Sequence, residues 1–147
     1  MRVYLDNCCY NRPFDPQDNI KVVLETFAKM QIQAMMRSGK WEYVWSDILV
    51  LEVSKNPYFD RQEAIFEWMD NAAVFIESTE DVVDRGKEIE EFGIKPKDAL
   101  HLASAEKAEC DWFFTTDNGI LKKLREVGGV RIANPVEFMV QGGNDND

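Results

Sequence analysis

The stretch KPKDALHLASAEKAECDWFFTTDNGIL, residues 95–121, decides the fold class. Pro96 suits the first turn of a helix, and the residues after it are good helix formers. The apolar residues 112–115 predict a buried strand, and Asp117 at its end opens another predicted helix over residues 117–127. Helix, strand and helix in direct succession are typical of an α/β protein with a parallel sheet.

The rest of the chain repeats this alternation. Further strands are predicted at residues 2–5, 41–45, 73–76 and 130–132, and further helices at residues 20–38, 46–56, 60–71, 80–92 and from 134 onward. Parallel strands need crossovers that cover both faces of the sheet. We therefore expect one α/β domain over residues 1–140, a three-layer α/β/α sandwich around a parallel sheet of about four to five strands. The tail QGGNDND, residues 141–147, is predicted to be disordered.

The longest predicted helix has an amphipathic pattern. Its apolar residues recur at steps of three and four and form one stripe, made of Ile20, Val23, Leu24, Phe27, Met30 and Ala34. Gly39 is well placed to end the helix.

Composition limits the classes of function. The 147 residues fit one domain, and the net charge of −10 argues against binding nucleic acid through a generally basic surface. A nuclease is still compatible, because bound cations reverse the local sign of an acidic site. Three irregularly spaced cysteines and one histidine argue against a disulfide framework and against a zinc site. No apolar run is long enough to span a bilayer and no signal peptide is recognisable, so we expect a cytoplasmic protein that does not insert into membranes.

Four carboxylates occupy informative positions. Asp6 and Asp117 each follow a predicted strand, where parallel sheets bind their ligands, but each can equally be a helix cap. Glu52 interrupts the apolar stretch ILVLEV, so it is either buried with a partner or lies at the edge of the apolar face and reaches water. Asp98 lies in the first turn of its helix, where the helix dipole alone would also favour a carboxylate.

Taken together, these acids predict a metal site, because carboxylate oxygens are the ligands that Mg²⁺ and Mn²⁺ prefer. Two such ions about 4 Å apart can activate a water and stabilise the leaving oxygen of a phosphodiester. His101 lies one helical turn after Asp98. It is either a packed histidine with one hydrogen bond or a residue that orients Asp98.

The order of the acids, in YLDNCCYNRPFD, SDILVLEV, KPKDALHLA and FFTTDNGIL, resembles the PIN-domain nucleases over roughly residues 1–139. The resemblance implies a doubly wound parallel sheet and a metal-dependent endoribonuclease. The metal-binding, catalytic acids that it implies are Asp6, Glu52, Asp98 and Asp117. Thr115 matches the hydroxyl residue that the family carries two positions before its last acid. Many members are toxins of toxin–antitoxin pairs and many form dimers, so the expected partners are RNA, an antitoxin protein and a second copy of the chain.

One position departs from the family pattern. Cys8 stands where many members have Asn or Ser, and CCYNRPFD resembles a less characterised branch. The departure bears on the toxin assignment more than on the nuclease assignment. A separate alternative is a non-cleaving PIN-like module that binds or scaffolds within an RNA-processing complex, although the presence of all four acids favours the enzyme. A nucleotide-binding domain lacks support, because the sequence contains neither GxxxxGK[ST] nor GxGxxG.

Several further residues are candidates for supporting the acids or contacting the substrate. The predicted supporting or substrate-contacting residues are Thr115, Thr116, His101 and Arg12. The candidate phosphate contacts are Arg12 again with Lys55, Lys95, Lys97 and Lys122, and an ordinary solvated side chain is the alternative at each.

Overall fold

A six-stranded sheet forms the centre of the protein, of which the computed structural model describes residues 1–142. The strands are β1 (Arg2–Leu5), β2 (Glu42–Ser46), β3 (Val74–Ile76), β4 (Trp112–Phe114), β5 (Glu126–Val127) and β6 (Val130–Ala133). Their order is β3-β2-β1-β4-β6-β5, and every pairing is parallel except β5 with β6. The direction of winding reverses between β1 and β4, so the ligand crevice of the sheet is expected at their carboxyl ends.

Eight helices flank the sheet within the described residues. They are α1 (Asn7–Asn11), α2 (Ile20–Arg37), α3 (Asp47–Ser54), α4 (Phe59–Phe66), α5 (Glu80–Glu90), α6 (Pro96–Lys107), α7 (Asn118–Leu121) and α8 (Pro135–Val140). Short 3-10 helices follow α1 and α4, at Arg12–Phe14 and Glu67–Asn71. The predicted α/β sandwich is confirmed. Residues 143–147 lie outside the described part of the chain, so the disorder of the tail and the domain limit at residue 140 stay predictions. No helix in residues 1–142 is both long and apolar enough to cross a membrane.

The core is built on the two central strands. Residues 3–5 of β1 and residues 113–114 of β4 are completely buried, as expected for parallel strands covered on both faces. Tyr4 stacks on Phe113 with ring centroids 5.3 Å apart, and Phe138 of α8 packs edge-on against Phe114 at 4.9 Å. These aromatic contacts fix β1 and β4 side by side, which sets the spacing of the residues that follow them.

The predicted helix over residues 117–127 is wrong beyond its first turn. Helix α7 ends at Leu121, and residues 126–127 form β5, which pairs antiparallel with β6. Gly128 and Gly129 join the two strands with φ angles of 53° and 87°. Such a two-residue turn with both φ angles positive matches the twist of a hairpin, and glycine adopts it without steric cost. The hairpin thus adds a strand to the five that the sequence predicts.

The apolar stripe of α2 faces outward. The exposed fraction is 72% for Ile20, 65% for Phe27 and 54% for Met30, and Val23, Leu24 and Ala34 are exposed as well. The buried face of the helix combines the apolar core residues Ile32 and Met36 with polar side chains, namely Glu25, Lys29 and Gln33. The helix thus packs on the core through this mixed face, whereas its stripe of apolar side chains remains exposed.

Candidate functional site

Asp6 and Asp117 meet at the reversal point of the sheet. Asp6 directly follows β1, and its backbone N–H donates to the carbonyl of Phe114 in β4 at 2.9 Å. The Thr115 hydroxyl donates to Asp6 Oδ2 at 2.8 Å and accepts the backbone N–H of Asp117 at 3.0 Å. Thr115 therefore ties the two acids together, as the sequence led us to expect of a supporting residue. Asp6 is 5% exposed, so its carboxylate depends on these partners rather than on water.

Glu52 reaches the same place from α3 through a contact with His101. The ring of His101 is fully buried in α6, and its Nε2 hydrogen-bonds to the Glu52 carboxylate and lies 3.8 Å from Asp6 Oδ1. His101 therefore orients Glu52, whereas the sequence offered Asp98 as the residue that it would orient. Glu52 is half-buried and combines the two alternatives for its position, because it is paired with His101 and also lines an open cavity.

A buried relay holds His101 in place. The hydroxyl of Tyr4 lies 2.6 Å from His101 Nδ1 and 2.6 Å from the Ser46 hydroxyl. Ser46 also caps α3 by accepting the N–H of Leu49 at 3.2 Å, and α3 carries Glu52. These contacts form a closed ring, which runs from Glu52 on α3 through His101 and Tyr4 to Ser46, the N-cap of α3. Tyr4 and Ser46 were not among the predicted site residues; the only sequence signal for Tyr4 is a hydroxyl within an otherwise apolar strand.

The pair of His101 and Glu52 favours its charged forms. Burial alone lowers the pKa of His101, but the hydrogen bond to Glu52 and the charge of Asp6 outweigh it and raise the pKa. Burial likewise works to raise the pKa of Glu52, but the hydrogen bond from His101 and nearby lysines outweigh it and lower the pKa. The charged carboxylate of Glu52 therefore faces the imidazole of His101, which keeps its second proton to a higher pH than an ordinary histidine does.

Asp98 and Asp117 complete an acidic cavity. A cavity of about 480 Å³ is lined by Glu52, Lys95, Pro96, Lys97, Asp98 and Asp117. Burial and the charges of Asp6 and Asp117 raise the pKa of Asp98 to about 6. Asp117 also caps α7, since its Oδ1 accepts the N–H of Gly119 at 2.7 Å. The structure thus places three of the four predicted acids on the wall of one cavity, and the buried Asp6 lies close enough for its charge to act on Asp98. The capping role of Asp117 coexists with its place in the cavity wall.

The donor set fits a divalent cation. One ligand atom each from Asp6, Glu52 and His101 lie within 4.8 Å of one another. Because both nitrogens of His101 are hydrogen-bonded, the carboxylate oxygens are the better candidate ligands. Burial and, after it, the negative charges of Asp6 and Asp117 raise the pKa of Asp98, and a cation would offset the repulsion among these charges. Oxygen ligands of this kind suit Mg²⁺ or Mn²⁺.

Arg12 is held by protein partners on every side. Its Nε lies 3.1 Å from Glu25 Oε1, its Nη1 donates to Asp15 at 2.9 Å, and its Nη2 donates to the Thr116 hydroxyl at 3.0 Å. Asn134 donates to the other oxygen of Glu25 at 2.6 Å. Arg12 therefore positions Thr116 just after the end of β4, and the guanidinium of Arg12 is not free to bind a phosphate.

Cys8 occupies the position where the sequence departs from the family pattern. Its sulfur accepts the N–H of Thr116 at 3.3 Å and lies 3.5 Å from Asp6 Oδ2 and 3.4 Å from the Thr115 hydroxyl. The thiol thus contacts the same acid and threonine that shape the cavity. A weak donor can fill this position because Thr115 already supplies Asp6 with a stronger hydrogen bond.

Lysines form a positive rim above Glu52. The proximity of Lys97 lowers the pKa of Lys55, and both lysines help to lower the pKa of Glu52. Lys95 and Lys97 line the acidic cavity. Lys122 is exposed at the end of α7 and does not line this cavity.

We expect the Asp98→Asn variant to be more stable than the wild type when metal is removed at pH 7. The folded pKa of Asp98, about 6, lies above its ordinary value of 3.8. The unfolded state therefore releases this proton first, and stability falls as the pH rises from about 4 to about 6. The variant escapes that loss, and about 1 kcal/mol is a reasonable gain for a half-exposed group after solvent screening.

Thermal melting in EDTA across this pH range measures the effect, and the gap between variant and wild type should be widest above pH 6. Addition of Mg²⁺ or Mn²⁺ should then stabilise the wild type more than the variant. A variant that melts below the wild type in EDTA, without any metal response in the wild type, would leave Asp98 with only a helix-dipole role.

Comparison with known proteins gives matches at the level of structure. No protein-family model and no curated protein matches the sequence. A chain of the VapBC2 complex from Rickettsia felis, bound to a DNA fragment from its promoter, matches with a TM-score of 0.59 and 14% identity over 91% of this chain and 98% of that one. A toxin–antitoxin complex from Klebsiella pneumoniae gives 0.62 and 16% over 90% and 97%, and FitAcB from Neisseria gonorrhoeae gives 0.54 and 19% over 90% and 97%.

At these identities the matches show the fold. Each covers nine-tenths or more of both chains, so the similarity extends over the whole described domain rather than over a shared βα unit. The PIN-like fold implied by the sequence resemblance is confirmed.

Proposed function

We propose that this protein is a divalent-metal-dependent endoribonuclease that hydrolyses RNA phosphodiester bonds and acts as the toxin of a toxin–antitoxin pair. The observation that carries the proposal is the meeting of Asp6, Glu52, Asp98 and Asp117 at the reversal point of a PIN-like sheet. The resemblance of their order in the sequence to the PIN-domain nucleases supports it independently. The fold neighbour from Klebsiella pneumoniae comes from a toxin–antitoxin complex, which supports the toxin assignment.

The acids, the residues that hold them and the lysines have separate roles in this proposal. The four acids would hold Mg²⁺ or Mn²⁺, and such an ion supplies an activated water and stabilises charge on the leaving oxygen. Thr115 fixes the carboxylate of Asp6, and His101 fixes that of Glu52, so that an oxygen of each lies within 4.8 Å of the other. The lysine rim would attract the phosphates that the remaining negative charge of the protein repels.

Cleavage of single-stranded RNA in Mg²⁺ or Mn²⁺, with loss of cleavage in EDTA, is the experiment that tests this function. We expect product with either ion and none with the chelator, because in this proposal the bound ion activates the water and stabilises the leaving oxygen. Protein that binds RNA but does not cleave it with any divalent ion would favour the alternative of a non-cleaving module in an RNA-processing complex.

The outward-facing stripe of α2 supports a protein partner. Large apolar side chains such as Phe27 and Met30 are more than half exposed and adjoin one another on the helix. We propose that an antitoxin or a second copy of this chain covers them, in keeping with the complexes in which the fold neighbours occur. A cytoplasmic location stays a prediction.

A further inference from the structure

A second cavity adjoins the acidic cavity and shares Glu52 with it. Its volume is about 280 Å³, and it lies between α1, the end of α3 and the start of α4. The polar and aromatic residues that line it include Asn7, Asn11, Lys55, Asn56, Tyr58 and Arg61. Because Glu52 lines both cavities, the two cavities meet at this residue.

A row of side-chain amides links the acids to the far rim of this second cavity. Asn7 follows Asp6 and donates its backbone N–H to Asp6 Oδ1 at 2.8 Å. Asn11 donates to Asn7 Oδ1 at 3.1 Å, and Asn56 donates to Asn11 Oδ1 at 3.1 Å. Each amide has further donor and acceptor capacity beyond these bonds. The row thus offers ordered hydrogen-bonding groups beside the place where the acids converge.

The far rim of the second cavity is aromatic, and contacts within the protein hold its side chains in place. The backbone N–H of Tyr58 donates to Asn56 Oδ1 at 2.9 Å, which fixes the residue at the end of the amide row. The guanidinium of Arg61 lies 4.0 Å from the Tyr58 ring centroid and 5.6 Å from that of Phe14. Tyr58 is nevertheless 53% exposed, so much of its surface is open. An exposed tyrosine held by an arginine is a platform on which a flat ring can stack.

Positive charge lies beside Glu52, at the junction of the two cavities. Lys55 lines the second cavity and Lys97 lines the acidic cavity, in a chain of net charge −10. Both lysines act on the carboxylate of Glu52, which lines both cavities, and a cation bound to that carboxylate would leave their positive charge for a phosphate. The junction of the two cavities is therefore a natural position for a phosphate group.

We propose that the second cavity binds a nucleotide next to the cleaved bond of single-stranded RNA, with its base stacked on Tyr58 and Arg61 and its phosphate beside Lys55. The amides of Asn7, Asn11 and Asn56 contact the sugar or the base edge. A base within a duplex already has stacking partners on both faces, so this cavity selects unpaired nucleotides. The inference rests on the proposed function, since the acids define which bond is adjacent.

Binding of short RNA to variants of Tyr58 tests the inference without requiring cleavage. The probe is a single-stranded phosphorothioate RNA with one fluorescent adenine analogue, titrated in Ca²⁺ and followed by anisotropy and by quenching of the analogue. We expect Tyr58→Leu to weaken binding about tenfold and to abolish the quenching, because it removes one stacked base. Tyr58→Phe keeps the ring and should bind like the wild type.

Phe59→Leu is the matched control, because Phe59 is 71% exposed but does not line the cavity. It should leave binding unchanged, as should Tyr58→Leu when the probe is a perfect duplex. For active protein, Tyr58→Leu should raise KM for single-stranded RNA with little change in kcat.

The outcomes separate the inference from the proposed function. Wild-type protein that cleaves RNA, with Tyr58→Leu equal to it in binding and quenching, overturns the inference and leaves the nuclease standing. Binding that depends on Tyr58 without any cleavage supports the inference in a non-cleaving module. Wild-type protein that neither binds nor cleaves single-stranded RNA overturns both.

Discussion

Replacement of Asp6 by Asn is expected to slow RNA cleavage by at least about a hundredfold, the loss that follows when a metal-binding carboxylate is removed. The amide keeps the size of the side chain and can still accept the hydrogen bond of Thr115, so the cavity should keep its shape. It cannot supply the negative charge that holds a divalent ion. Asp98→Asn should lose activity to a similar extent, although it stabilises the metal-free fold.

Single-turnover cleavage in saturating Mg²⁺ or Mn²⁺ measures this loss. Asp84→Asn, an acid exposed on α5, is the matched control and should cleave at the wild-type rate. If Asp6→Asn cleaves at the wild-type rate, Asp6 is not a catalytic acid. Equal residual activity in the Asp6 and Asp98 variants would instead indicate a contaminating nuclease.

Truncation of Arg12 to Ala is expected to destabilise the fold by about 3 kcal/mol, at the lower end of the cost of breaking a buried ion pair. The carboxylate of Glu25 is 1% exposed and would retain only its hydrogen bond from Asn134. Thr116 would also lose the donor that holds it at the end of β4. Urea unfolding followed by tryptophan fluorescence gives the free energy of unfolding directly.

The control for this prediction is Arg125→Ala. Arg125 forms an exposed pair with Glu137 at 2.8 Å, and exposed pairs contribute no more than about 1 kcal/mol. The double variant Arg12→Met with Glu25→Met should recover a large part of the stability lost by Arg12→Ala, since it removes both charges from the interior. A loss below about 1 kcal/mol for Arg12→Ala would return Arg12 to the list of substrate contacts.

Much of the fold could be predicted from the sequence because two of the acids stand just after apolar runs. The runs before Asp6 and before Asp117 became the two central strands, and the acids at their ends fell on one edge of the sheet because parallel strands share a direction. Pro96 opened α6 as predicted, which placed Asp98 in its first turn. Local chemistry was sufficient for these features.

Features that depend on distant partners were not readable. The spacing of the sequence does not show that His101 contacts Glu52, 49 residues away, or that Tyr4 and Ser46 support it. The orientation of α2 has the same cause, since Glu25 can be buried only where Arg12 and Asn134 receive it. The predicted long helix after Asp117 failed because a two-glycine hairpin overrode the helical pattern before it.

The pairing of β1 with β4 also determines when the acidic cavity can form during synthesis of the protein. Residues 2–5 are synthesised before residues 112–114, so one edge of β1 has no partner until the later strand has emerged and crossed back to it. Such long-range pairing is slow to form. A nascent chain therefore cannot bring Asp6 and Asp117 together until the segment that follows β4 has emerged. The acidic cavity arises late in synthesis, close to the stage at which Asn134 reaches Glu25 and completes the burial of α2.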